Sequence, residues 1–189
     1  MIQAISLDKY YRLLNIGPTV LVSSKHEEKE NVMAAAWAGI VDFYPTPKVS
    51  VILDKSSYTR ELIEKSGYFA LQIPVARQAE MVLALGEISG KTHPDKLRTC
   101  KTELFYREHD NIPLVKGCAG WILCERLPQT DNEQQHDLFI GKVIACYADD
   151  EIFDGHWKFE TADKGWRTLH YVAGGHFYTI GDPLIVEKN

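Results

Sequence analysis

Apolar positions along this chain fall into short runs broken by turn residues, and the period of each run predicts its element. Residues 19–23 (Thr-Val-Leu-Val-Ser) are β-branched, follow Pro18, and lead into the charged stretch 25–30, which reads as a hairpin turn. The alanine-rich run 31–41 is the natural strand partner, although alanine also leaves a helix open; Asp42, Pro45 and Pro47 end it. Residues 48–53 (Lys-Val-Ser-Val-Ile-Leu) read as a strand. The polar loop 54–59 then enters a short helix over 60–65, with Thr59 as N-cap and Gly67 as the residue that stops it. Residues 68–73 form another strand, closed by Pro74. Residues 77–85 carry helical propensity with Met81, Leu83 and Leu85 partly inward, and 86–94 read as irregular. In the second half, 117–126 and 136–147 are long β-rich runs joined by a polar connector, 129–135. Many strands with a few short helices predict an α+β protein built on a small barrel. A doubly wound sheet needs a strand–helix alternation that the second half lacks.

Composition refines this picture only slightly. The 189 residues suit one domain, 1–189, with no repeat, low-complexity stretch or obvious linker. At 45% hydrophobic and 25% charged the chain has ordinary globular values. Its 21 basic against 26 acidic residues leave a net charge of −5, which disfavours nucleic-acid binding through bulk positive charge. The longest apolar run, 33–41, is far shorter than the roughly 20 residues a membrane helix requires. Cys100, Cys118, Cys124 and Cys146 fit no disulfide framework, and no secretory leader opens the chain. The expectation is a reduced, cytoplasmic protein whose cysteines act as small buried hydrophobes.

Most recognisable catalytic motifs fail. Gly86-Glu-Ile-Ser-Gly-Lys-Thr92 has three residues between its glycines where a phosphate loop has four, and Pro94 obstructs the helix that should follow. Ser89 sits beside a glycine rather than centred between two, so it is no nucleophile elbow. The Gly-x-Gly-x-x-Gly dinucleotide fingerprint is absent. Scattered histidines, with no Cys-x-x-Cys and no His-Glu-x-x-His, give no metal site.

One local signal survives. Asp54-Lys-Ser-Ser-Tyr-Thr59 places the hydroxyls of Ser56, Ser57 and Thr59 at a helix start, with Lys55 before it and Arg60 in its first turn. A helix N-terminus has unpaired N–H groups and partial positive charge, so it suits a phosphate held by a nearby cation. The same residues also read as a plain helix cap.

These residues belong to a longer ordered pattern. Asn31-Val-Met-Ala-Ala-Ala-Trp37, Pro47-Lys-Val-Ser-Val running on to Thr59, and Ser66-Gly-Tyr-Phe-Ala-Leu-Gln-Ile-Pro74 come first. Ser89-Gly90 with Asp95-Lys96-Leu97, and Cys124-Glu with His136-Asp-Leu-Phe-Ile-Gly-Lys-Val143, follow. In this order they resemble the flavin reductase-like family, its flavoredoxin-type members in particular. Gln134-Gln135 stands where that family has Gly-Asp, and Leu97 where it commonly has Phe.

The resemblance implies an FMN-binding split β-barrel with flanking short helices, a homodimer, and flavin near the subunit interface. It implies reduction of FMN by NADH or NADPH. Asp54, Lys55, Ser56, Ser57, Tyr58 and Thr59 would then hold the phosphate. Asn31 and the small Ala34, Ala35 and Ala36 would let backbone approach the isoalloxazine, with Trp37 either flanking the ring or lying in the core. Ser89, Gly90, Lys91 and Lys96 are candidates for contacts to phosphate or ring oxygens, or are simply solvated loop residues. His136 matches a histidine near the nicotinamide, or is a surface residue at a strand end. No catalytic side chain is required, because the flavin carries the chemistry. A flavoredoxin-like electron carrier serving another protein, a flavin-binding protein without turnover, and an interaction domain without flavin stand as alternatives.

Overall fold

The computed structural model describes residues 2–107 and 111–186. A helical turn, α1 (Tyr11–Leu14), precedes strands β1 (Val20–His26), β2 (Lys29–Ala35), β3 (Ala38–Asp42) and β4 (Lys48–Ile52). Helix α2 (Tyr58–Ser66), strand β5 (Tyr68–Ile73), helix α3 (Ala79–Glu87) and the turn α4 (Lys96–Thr99) follow. The short pair β6 (Leu104–Phe105) and β7 (Leu114–Val115) leads into β8 (Gly120–Leu127), helix α5 (Thr130–His136) and β9 (Leu138–Ala148). A hairpin of β10 (Leu169–Ala173) and β11 (His176–Thr179) comes last.

Seven strands form one antiparallel sheet in the order β2-β1-β5-β8-β9-β4-β3. Its two edge strands, β2 and β3, are consecutive in the chain and separated only by Ala36 and Trp37. A sheet whose opposite edges are tethered this tightly must curl until they meet, so the architecture is a split β-barrel in an α+β fold. Alternation along the strands agrees. Val20, Val22, Val49, Val51, Phe69, Leu71, Cys124 and Phe139 point to one shared cluster, whereas their neighbours Leu21, Ala70 and Leu123 point to another. The first cluster fills the barrel, with Ile63 of α2 at its margin. The second lies outside it, beneath α3. Burial of Phe69 and Phe139, both at 0% exposure, contributes roughly 1.5–3 kcal/mol each.

Several elements depart from the sequence expectation. The run 31–41 is two strands with a bend, not one. Helix α2 starts at Tyr58 with Ser57 at its N-cap, so Thr59 lies inside the first turn, whereas Gly67 does end the helix with φ 77°. The polar connector 129–135 is helical, α5, and His136 closes that helix instead of opening β9. Its amphipathicity is ionic: Glu133 is buried, bound by Nε and Nη2 of Arg126 at 2.9 and 2.5 Å. Cys100, Cys118 and Cys124 are buried as expected, but Cys146 is exposed.

Arg60 joins these parts. Its guanidinium donates to the carbonyls of Leu53 and Glu133, each at 2.9 Å, and to the carboxylates of Glu64 and Asp137. It also lies over the Phe139 ring, 5.0 Å from the centroid. With these donors engaged and only 3% of the residue exposed, Arg60 ties α2 to α5 and β9. The structure thus removes it from the cations available to a ligand.

Candidate functional site

Strand β2 carries the site along its length. At its start, Asn31 donates from Nδ2 to Thr59 Oγ1 at 2.8 Å, locking the strand to the first turn of α2. The loop before α2 is internally bonded. Asp54 accepts from the Ser56 amide at 2.8 Å and hydroxyl at 2.5 Å, and these bonds hold its carboxyl below the usual carboxylate range. Ser57 donates from Oγ to Met33 Sδ at 2.9 Å. Ser56, Ser57 and Thr59 therefore each have a protein partner, and Thr59 is fully buried. Lys55 is exposed. The Ser57 hydroxyl, turned to Met33, accepts from none of the helix amides, which leaves the first amides of this nine-residue helix without a side-chain cap.

A cavity of about 760 Å³ lies beside this helix start, lined by Asn31, Tyr58, Gly90, Lys91 and Lys96 among others. Gly90 is seated against both other elements: a Cβ on it would lie 2.4 Å from Asn31 Oδ1 and 3.0 Å from Tyr58 Cδ1. Only a glycine brings the 89–98 loop this close. Lys91 is exposed and pairs with Glu61 at 3.5 Å, while exposed Ser89 accepts the Lys91 amide. Lys96 differs. It is only 3% exposed, and among the described residues it forms no ion pair. Desolvation lowers its pKa to about 8. Glu28, Glu30, Glu61 and Asp95 line the same cavity, but none of them pairs with Lys96, and a largely desolvated ammonium with no ion-pair partner is one that an anion would relieve.

Further along β2, Ala34, Ala35 and Ala36 form the wall shared by two more cavities. One, of about 240 Å³, reaches Leu83 and Gly86 on α3 and Phe177 on β11. The other, of about 530 Å³, is bounded by Trp37, Asp54, Tyr171 and the N-terminal turn. Trp37 is 52% exposed, so it is a wall residue and not core. Its Nε1 donates to Asn15 Oδ1 at 2.8 Å, and Asn15 Nδ2 donates to the Val172 carbonyl at 2.8 Å. Tyr11 meets the Trp37 ring edge-on at 6.3 Å.

The structure thus brings Asn31, Tyr58, Thr59, Gly90, Lys91 and Lys96 together at one end of β2. It brings Ala34, Ala35, Ala36, Trp37 and Asp54 together at the other. His136 is exposed at the end of α5 and lines none of these three cavities. Sequence reasoning missed Tyr11, Arg12, Asn15, Tyr171 and Phe177, which come from the two ends of the chain. They carry no motif, and only the pairing of Thr19 and Asn15 with β10 brings them in.

A split barrel with small side chains on one strand and a pocket at its end is what the resemblance to the flavin reductase-like family implies, and comparison with known proteins agrees. The chain belongs to the flavin reductase like domain family, whose model matches residues 13–179. It is 38% identical over 181 residues to the uncharacterized protein YddH of Escherichia coli, covering 94% of each chain. An uncharacterized Pyrococcus abyssi protein is 33% identical over 174 residues, covering 92% of this chain and 96% of its own. Among solved structures, an FMN-binding domain of a flavin reductases-like enzyme from Shewanella baltica is 45% identical, with TM-score 0.89. The match covers 98% of this chain and 97% of that one. Flavoredoxin of Desulfovibrio vulgaris, 24% identical, shares the fold with TM-score 0.81, over 98% and 97% of the two chains. Among the described residues, no helix is long and apolar enough to cross a membrane.

Proposed function

We propose that this protein binds FMN along β2 and works as an NAD(P)H-dependent flavin reductase. The observation that carries the reading is Lys96, a buried lysine with no ion-pair partner among the described residues, in a cavity next to the start of α2. From Asn31 to Ala36, one residue past the end of the strand, the chain spans roughly 17 Å at ~3.3 Å per residue, enough for a phosphate at one end and a flat ring at the other. In this reading Lys96 and the α2 amides hold the phosphate, and Lys91 and Lys55 add exposed charge. Asn31, Thr59, Tyr58 and Gly90 shape the cradle. Ser56, Ser57 and Asp54 fix the loop, and Ser89 anchors the turn before Gly90. Ala34–Ala36 present backbone to the ring edge and Trp37 stands at its side. FMN held here would supply the chemistry, a ring able to take a hydride from a dihydronicotinamide. The protein binds and orients both molecules and excludes water. The FMN bound by the 45%-identical Shewanella protein supports the cofactor assignment.

The same reading makes the working unit a homodimer. Ile40, Phe43 and Tyr44 near the Trp37 bend are 83, 85 and 77% exposed, and Leu13 and Leu14 of the N-terminal segment are 62 and 79% exposed. Apolar exposure on this scale is what a second copy would cover. The test is a visible spectrum of the FMN-supplemented protein before and after anaerobic NADH and NADPH. Binding with bleaching by either nucleotide is expected. A protein that never takes up FMN refutes the reading; one bleached by dithionite but by neither nucleotide makes it an electron carrier instead.

A further inference from the structure

The ring cavity contains a charge that the FMN assignment leaves unused. Of the residues lining it, Arg12 is the one cation and Asp54 the one anion. Asp54 is engaged by Ser56. Arg12 forms no ion pair among the described residues, and its guanidinium carbon lies 5.9 Å from the Tyr11 ring centroid. Its Nε is directed at the Tyr11 hydroxyl at 3.5 Å, a long contact that leaves the rest of the guanidinium free. Arg12 is exposed, but the turn that carries it is held in place. Asn15, three residues on and only 5% exposed, fastens this turn to Trp37 on one side and to β10 on the other.

In the reading above, the phosphate of FMN has its own cation at the far end of β2, in the cavity that Lys96 lines. A second cation at the ring end is therefore open to a different anion, one carried by a molecule lying against the ring. Tyr11, Trp37 and Tyr171 line the same cavity and present aromatic surface for a flat group. We propose that the N-terminal turn is the second-substrate subsite, with Arg12 binding the phosphate-bearing tail of the nicotinamide nucleotide and Asn15 acting as its positioning residue. This rests on the flavin-reductase reading above and extends it by naming the residues that recognise the electron donor. It also places that donor under α1 and not at His136, which is exposed on α5. An arginine suits the role, because its planar fork matches phosphate oxygens in pairs.

The test uses FMN-loaded protein, wild type against Arg12→Gln, a substitution at a side chain with no structural partner beyond Tyr11. Calorimetric titration with the unreactive NAD+ and NADP+ should show at least a tenfold loss of affinity in the variant, at unchanged FMN content. Loss for both nucleotides assigns Arg12 to the pyrophosphate; loss for NADP+ alone assigns it to the 2′-phosphate. In anaerobic reduction, NADPH and NADH should lose rate in the same pattern. The rate with 1-methyl-1,4-dihydronicotinamide, the same hydride-donating ring without phosphates, should not change. Asn15→Leu, which unties the turn but keeps the guanidinium, should reproduce the affinity loss. Equal nucleotide affinity in wild type and Arg12→Gln overturns the proposal, as does an equal loss with the phosphate-free donor or no nucleotide binding by loaded wild type. A protein that never takes up FMN instead refutes the underlying flavin reading.

Discussion

Asn31 and Thr59 are joined through Nδ2 and Oγ1 at 2.8 Å, with both residues buried, so the first turn of α2 is held at a fixed height on β2. Thr59→Val keeps the shape and removes the acceptor, leaving a buried amide donor unpaired. The expected cost is about 1–3 kcal/mol. Thr59→Ser should retain most of the stability, and urea unfolding midpoints at unchanged slope would measure the difference.

Gly90→Ala places a methyl group 2.4 Å from Asn31 Oδ1, where both the loop and the strand are fixed. Overpacking of this kind costs about 1–3 kcal/mol. The 89–98 loop should lift from β2, so FMN affinity should fall more steeply than thermal stability. Fluorescence titration of flavin alongside a melting curve tests this. An unchanged FMN affinity would show that the loop is not part of the cradle.

Lys96→Met should weaken FMN far more than riboflavin, which lacks the phosphate, while leaving the FMN-free protein at least as stable as before. The pH dependence has a definite sign. The amine is lowered from 10.5 to about 8 in the fold, so between these values the unfolded chain binds more protons. Stability of the FMN-free wild type therefore rises with pH across that window, and its penalty is fully present below it. Lys96→Met should lack this rise. Denaturant titrations at pH 7.5 and 10 for both proteins compare the slopes directly.

Glu133 gives the opposite case. Its bonds to Arg126 hold its carboxyl below the ordinary value of 4.5. Its contribution is present above that value and is lost as pH falls through the depressed folded value. Glu133→Gln should destabilise the protein at pH 7, since it leaves the Arg126 charge without its partner, and should flatten the acid limb of the stability curve. Circular dichroism at 222 nm across pH 2–7 would show both effects.

The legible parts of the fold were those in which local pattern and tertiary burial agree. Lys-Val-Ser-Val-Ile alternates and forms β4; Tyr68–Ile73, closed by proline, forms β5 with those bounds. Helix α5 was not legible, because Thr-Asp-Asn-Glu-Gln-Gln-His has no apolar face, and its one buried residue is satisfied by an arginine from another strand. The site divides in the same way. Asn31, the alanine run, the 54–59 loop and Lys96 form ordered motifs. The far wall of the ring cavity, from Tyr11 to Asn15 and from Tyr171 to Gly174, is assembled by hydrogen bonds across some 150 residues of chain, such as Asn15 to Val172 at a separation of 157. No periodicity records such a pairing.

The bend at Ala36 and Trp37 tethers the two edges of the barrel and also lines the 530 Å³ cavity proposed for the ring. A molecule seated against it acts as a brace across the seam of the sheet. If the proposed ring sits there, occupancy and closure are one mechanical event: whatever loosens the seam would dull the grip on the ring, and a seated ring would hold the seam shut.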